Sequence, residues 1–235
     1  MVNLAQKHFG GVAMTIQQTA DCVIFRAPAP MKVASSAMIN AGIGYYQNFV
    51  NRSVPKSYDE RDPHAEYTRY LTAHGFIIEE TVAMMTAVYA KHAVIRTFTH
   101  GELSLTVMVT AGLGNAVDIT RALLRSETYH VGTINMWVLV DAKLSDEALL
   151  QGLISATEAK TKALFTENIL DPETHTLATG TSTDSVLVAS SQQGSYQQYA
   201  GPITELGKLI GHGVYQTMLA AIRAYKKEVG AGTWR

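Results

Sequence analysis

Residues 178–185 read Ala-Thr-Gly-Thr-Ser-Thr-Asp-Ser, the densest run of small polar side chains in the chain. Hydroxyl or carboxylate groups on every residue from Thr181 to Asp184 are more than an ordinary turn requires. Gly180 lets the backbone come close to a ligand, and the hydroxyls of Thr181 and Thr183 can orient polar groups. Asp184 stands where a carboxylate could activate water or hold a neighbouring donor. The structural alternative is an Asx or Ser/Thr turn that stabilises the start of the next strand.

A second candidate lies on a periodic segment, residues 145–167. At 100° per residue, Leu149, Leu153, Ala156, Lys160 and Ala163 fall within an arc of about 80°. Lys160 therefore sits in the middle of an apolar stripe. It either snorkels its ammonium to water or aims it at a site, to polarise a carbonyl or protonate a leaving amine. Glu158 points about 160° away from Lys160. Its carboxylate reads as solvated, with a general-base role as the functional alternative.

Further candidates cluster around glycines. Asn40, Asn115 and Asn135 each lie near a glycine at a strand edge. One alone would be a turn residue. Three hint at a pocket that binds amides, because an asparagine both donates and accepts. Gly201 leads into a helix opened by Thr204 and Glu205, whose free N–H groups could meet an oxyanion or an amide carbonyl. Glu205 has a capping explanation in the first helical turn, which is favoured over catalysis, and it is kept with Gly201 as a substrate-binding candidate. Stronger signatures are absent: no Walker loop, no HExxH, no paired CxxC and no Gly-x-Ser-x-Gly elbow. The eight histidines are dispersed, so no metal site is expected.

The 235 residues that must position these groups suit one substantial domain, residues 1–235, without staples. Charged residues are only 17% against 47% hydrophobic, which excludes a disordered chain and implies extensive burial, in a core, a homo-oligomer interface or an apolar pocket. Net charge is −1, so no basic field exists to gather nucleic acid or an anionic membrane. The single cysteine, Cys22, excludes an internal disulfide framework. With no signal-like or membrane-spanning run, a cytoplasmic setting is expected.

Strands are expected at 12–18, 22–26 and 31–39, the last ending in a Gly42-Ile43-Gly44 loop. Residues 48–63 read as a surface loop, with helical segments near 64–74 and 79–89. His100-Gly101 marks a hairpin between 92–99 and 102–110. A helix through 116–124 should precede a buried strand at 133–140. Ser145 caps a helix to about 167, and a strand at 185–189 leads to a final helix from Thr204 to about 228. The fold class is α/β (or α+β): a mixed sheet with early hairpins and long packed helices.

Taken together, these segments resemble the adenosylcobinamide amidohydrolase family. The likeness rests on Ser35-Ser36-Ala37, Val54-Pro55-Lys56 with Tyr58-Asp59, Thr110-Ala111-Gly112-Leu113-Gly114-Asn115-Ala116, Gly132-Thr133-Ile134-Asn135, Ala156 to Lys160, Ala178 to Asp184 and Tyr199-Ala200-Gly201. Ser182 departs from an expected glycine, and Pro202-Ile203 from a more polar segment. The resemblance implies hydrolysis of the amide joining a corrin propionyl arm to aminopropanol, in corrinoid salvage. It implies no cofactor, since the cobalt belongs to the substrate. Asp184 would activate water, with Thr181 and Thr183 orienting it, Lys160 would serve the developing charge, and Asn115 and Asn135 would bind amides. A Thr181, Thr183 or Ser36 nucleophile stays open. A corrinoid carrier without turnover is the alternative function.

Overall fold

Two prolines in one strand decide the architecture. The computed structural model describes residues 3–9, 12–125 and 132–230. Its principal strands are β1 (Asn3–Phe9), β2 (Val12–Gln18), β3 (Cys22–Ser35), β4 (Gly42–Ser53), β5 (Thr81–Thr86), β6 (Val94–His100), β7 (Leu103–Ala111), β8 (Ile134–Asp141) and β9 (Ser185–Ser190). The helices are α1 (Pro63–Ala73), α2 (Asp146–Thr166) and α3 (Glu205–Gly230). Along β3 the antiparallel pairing to β4 is regular at 22–26 and again at 31–35, with a register shift between Arg26 and Met31. Pro28 and Pro30 lie in that gap and have no N–H to give to a ladder.

The two halves of β3 then serve different neighbours. Its first half pairs with β2, while its second half pairs with β9. Beyond β9 the order runs β8, β7, β6, and β5 joins on the far side of β4. Within this sheet two of the described pairs are parallel, β4 with β5 and β8 with β9. Each needs a crossover helix, supplied by α1 and α2 respectively.

Burial sorts into three layers of core. Phe25, Phe49, Met84, Trp137 and Leu187 pack between the two halves of the bent sheet. Residues of α2 and α3, among them Leu149, Ala156, Ile210 and Met218, cover the outer face of β7, β8 and β9. Tyr67 and Leu71 of α1 cover the opposite outer face with Val50 and Ala83. The result is helices, sheet, sheet, helix, in the α/β class with a mixed sheet. Among the described residues no helix is long and apolar enough to cross a membrane.

Several expectations needed correction. Residues 48–53 are strand rather than loop, and the 42–44 loop belongs to the same strand β4, because β3 provides a partner edge along its length. The 79–89 segment is not helical: its apolar run Val82-Ala83-Met84 is buried on both faces as β5. A short fully buried run carries no period that separates strand from helix. In place of a helix at 116–124 there is a two-residue strand, Ala116–Val117, and a 3-10 turn, Ile119–Leu124.

Candidate active site

Helix α2 presents Lys160 to the sheet. Ser145 caps its start by accepting from the Ala148 N–H at 3.0 Å. The Leu149, Ala156 and Ala163 stripe then seats the helix in the core. Lys160 is 6% exposed and pairs with Oδ2 of Asp184. The Asp184 Oδ1 accepts from the Thr181 hydroxyl, the Thr181 N–H at 3.1 Å and the Ile134 N–H at 3.3 Å. Every neighbour of this carboxylate is a donor. The local turn and the long-range ion pair therefore coexist on one side chain.

Gly180 makes that pair possible. A Cβ on it would lie 2.4 Å from Asp184 Oδ2 and 2.7 Å from Lys160 Nζ, closer than real side chains approach. Gly180 and Thr181 are held in place by antiparallel pairing with Val117 and Ala116.

Asp184 lies on the wall of a cleft of about 410 Å³ at one end of the inter-sheet layer. Thr133, Asn135, Thr183 and Ser185 line it with Asp184, together with Met38, Pro55 and Met84. A few polar groups among apolar side chains are the usual build of a ligand site. Lys160 and Thr181 do not line this cleft; they stand behind Asp184 and hold it. Thr183 is exposed and donates to the Gly132 carbonyl at 2.8 Å. Ser36 also lines the cleft, its hydroxyl oxygen accepting from the Val186 N–H at 3.0 Å.

The asparagines separate into different roles. Asn135 lines the cleft and bonds inward to Asn51 and the Met85 carbonyl. Asn115 lies one layer deeper. Its Nδ2 donates to the Gly132 carbonyl and to Ser182 Oγ, each at 2.7 Å. It thereby ties the 182 loop to the segment that leads into β8, and the serine at this departure from the family pattern gains a partner. Asn40 adopts a left-handed turn, φ 58°, and its amide donates to the carbonyls of Ile78 and Thr81. That is a turn role outside the cleft.

Three further candidates lie elsewhere. Glu158 is exposed on the far side of α2, in a groove between α2 and α3. Glu205 is exposed and bonds to His100 and Lys208, the latter at 2.6 Å, which hold its carboxyl below the ordinary range. The Gly201 carbonyl packs against α3, where a Cβ on Gly207 would come within 1.9 Å of it. Gly201 and Glu205 belong to the start of α3 and Glu158 to α2, and none of the three lines the cleft.

Two cleft neighbours were not singled out from sequence. Asn51 is 1% exposed on β4 and faces inward with Phe49. An asparagine two residues from a buried phenylalanine is the alternation signal that could have flagged it. Tyr58 lines the cleft and donates to Glu66 at 2.9 Å. Burial, together with that carboxylate, pushes its hydroxyl up to about 12. Arg52 grips Glu66 with contacts of 2.9 and 2.7 Å, and its guanidinium holds Glu66 below the ordinary range.

A carboxylate held by a buried ammonium, with hydroxyls and an amide beside it along a cleft, could serve hydrolysis, and sequence comparison supplies the class: a hydrolase. The chain belongs to the adenosylcobinamide amidohydrolase family, whose model matches residues 8–230. It is 28% identical over 200 residues to an adenosylcobinamide amidohydrolase of Methanosarcina mazei, spanning 80% of this chain and 89% of that one. It is 23% identical over 211 residues to an uncharacterized ABC transporter ATP-binding protein of Bacillus subtilis, spanning 90% of this chain but 39% of that protein. A Burkholderia beta-aminopeptidase structure aligns with TM-score 0.44 and 10% identity, over 94% of this chain and 82% of that one. So distant a likeness assigns nothing.

Proposed function

We propose that the protein hydrolyses the aminopropanol amide of adenosylcobinamide, releasing adenosylcobyric acid and 1-aminopropan-2-ol in corrinoid salvage. The observation that carries this reading is the Asp184 carboxylate, gripped from behind by Lys160 and Thr181 and open to the cleft in front. The family match supports a corrinoid amide as the substrate. At about 410 Å³ the cleft is near the small end of the range for ligand pockets. It suits one propionamide arm, with the macrocycle resting at its mouth.

In this scheme a water held by Asp184 and the Thr183 hydroxyl attacks the amide carbon. Asp184 takes one proton as the oxygen–carbon bond forms and returns it to the amine nitrogen as the carbon–nitrogen bond breaks. The second water proton also leaves with the amine, so the products are a carboxylate and an ammonium. Lys160 acts through Asp184, fixing the carboxylate's position and charge. The apolar face of Met38, Pro55 and Met84 packs the methylene stem of the arm.

The test is a product assay with adenosylcobinamide, cobinamide and a complete coenzyme side by side, following aminopropanol by mass spectrometry. Release from adenosylcobinamide is expected, and its fall by at least a hundredfold in Asp184→Asn. Tight corrinoid binding without release would make the protein a carrier. Folded Asp184→Asn and Lys160→Met variants that both turn over within a few fold of the parent would remove this assignment.

A further inference from the structure

Asn135 is fixed in one orientation by atoms that cannot exchange roles. One of its amide atoms lies 2.9 Å from the Met85 carbonyl oxygen. A carbonyl only accepts, so that atom is the donor Nδ2. The other Nδ2 hydrogen points to Asn51, 2.7 Å away, whose facing atom is therefore Oδ1. Asn51 Nδ2 in turn donates to Thr110 Oγ1 at 3.0 Å. Asn51 and Asn135 are 1% exposed and Thr110 0%, so solvent does not compete for these bonds.

Both Asn135 hydrogens are thus used inside the protein, and only its Oδ1 is left for the cleft. The Thr133 hydroxyl lies 3.3 Å from that oxygen. A hydroxyl has one hydrogen, however, and this one sits closer to the Thr183 carbonyl, at 2.7 Å. Asn135 Oδ1 therefore has only this long contact, through a hydrogen better placed for another acceptor, and keeps the capacity to accept a shorter bond from a ligand in the cleft it lines.

We infer that Asn51 is a positioning residue that locks the Asn135 carbonyl oxygen toward the ligand, so that the cleft selects substrates carrying an N–H at the scissile bond. The inference rests on the amide-hydrolase reading and narrows it to secondary amides over esters of the same shape. It also assigns Asn135 to the substrate nitrogen and not to the oxyanion, which needs a donor.

The test uses two small mimics of the arm, N-(2-hydroxypropyl)propanamide and its ester isostere 2-hydroxypropyl propanoate, titrated into the intact protein by NMR. The parent should bind the amide about tenfold more tightly, the worth of one hydrogen bond. Asn51→Leu should abolish that preference while leaving ester binding unchanged. Asn51→Asp should restore it: a protonated Asp at this site offers its carbonyl to Asn135 and its O–H to Thr110. Equal affinities in the parent, no binding of either mimic, a preference that survives in folded Asn51→Leu, or loss of both mimics together overturns the inference. Should Asn51→Leu not fold, the parent and Asn51→Asp comparisons still decide. An intact amide preference without corrinoid turnover would instead defeat the reaction while leaving this selection standing.

Discussion

Replacing Asp184 by asparagine should damage the fold more than removing its partner Lys160. The four groups around the carboxylate are the Lys160 ammonium, the Thr181 N–H, the Ile134 N–H and the Thr181 hydroxyl. An asparagine must turn its NH2 either against the ammonium or against two backbone N–H groups. The lysine side chain, 7% exposed, is then a buried charge without a counter-ion. Breaking such a pair costs about 3–5 kcal/mol. Lys160→Met leaves a carboxylate that keeps three donors and is 14% exposed. It also puts an apolar side chain into an apolar stripe, so it should cost about 1–3 kcal/mol. Urea unfolding with a shared slope reads the difference directly, and for a chain of this length it corresponds to a melting gap of several degrees, roughly 2–4 °C per kcal/mol. The Asp184→Asn/Lys160→Met double variant should recover part of the loss. If Asp184→Asn melts at or above Lys160→Met, the all-donor account of the site is refuted.

Other perturbations follow from the same contacts. Gly180→Ala should lower stability by about 1–3 kcal/mol and abolish product release, because its Cβ displaces the ion pair; an active, equally stable variant would contradict this in the same unfolding and product assays. Gly207→Ala meets the Gly201 carbonyl at 1.9 Å and should shift the thermal midpoint down by far more than Gly211→Ala, which meets nothing. Burial pushes the Asp171 carboxyl up, but backbone N–H groups of Asp118, Glu173 and Thr174 and the Arg125 guanidinium outweigh it and hold it below its ordinary 3.8. Its stabilisation is therefore full above pH 3.8 and is lost as pH falls through the lower folded value. In urea melts Asp171→Asn should flatten that acid limb while lowering stability at neutral pH. Cys22 is 4% exposed, and burial raises its thiol, so alkylation of the native protein should be far slower than in urea, as read by mass spectrometry.

Much of this arrangement was legible in the residues. The 145–167 period, with Ser145 as its cap, placed Lys160 on the buried face of α2, and the 178–185 run located the loop that meets it. Their meeting came from two parallel-sheet neighbours, β8 and β9, whose register no local pattern encodes. Asn51 was hidden because Asn48 to Pro63 is polar on average, although Phe49 and Val50 alternate across β4. Likewise Val82 to Met84 reads as helix in the sequence alone, because a run buried on both faces has no period. Asn40 and Gly201 looked like site residues for a shared reason: glycine and asparagine mark turns and close contacts in general, and only distance separates those from a ligand pocket.

The pairing of β3 with β9 joins Ser35 to Leu187 across most of the chain. Contacts of such span form late, because a long loop must close before they return any energy. During synthesis the cleft cannot exist until the segment through Ser190 has left the ribosome, so a nascent chain carrying every earlier element would not yet recognise its ligand. Fragments that stop short of that strand should accumulate as exposed sheet edges in need of a chaperone, not as weakened enzymes.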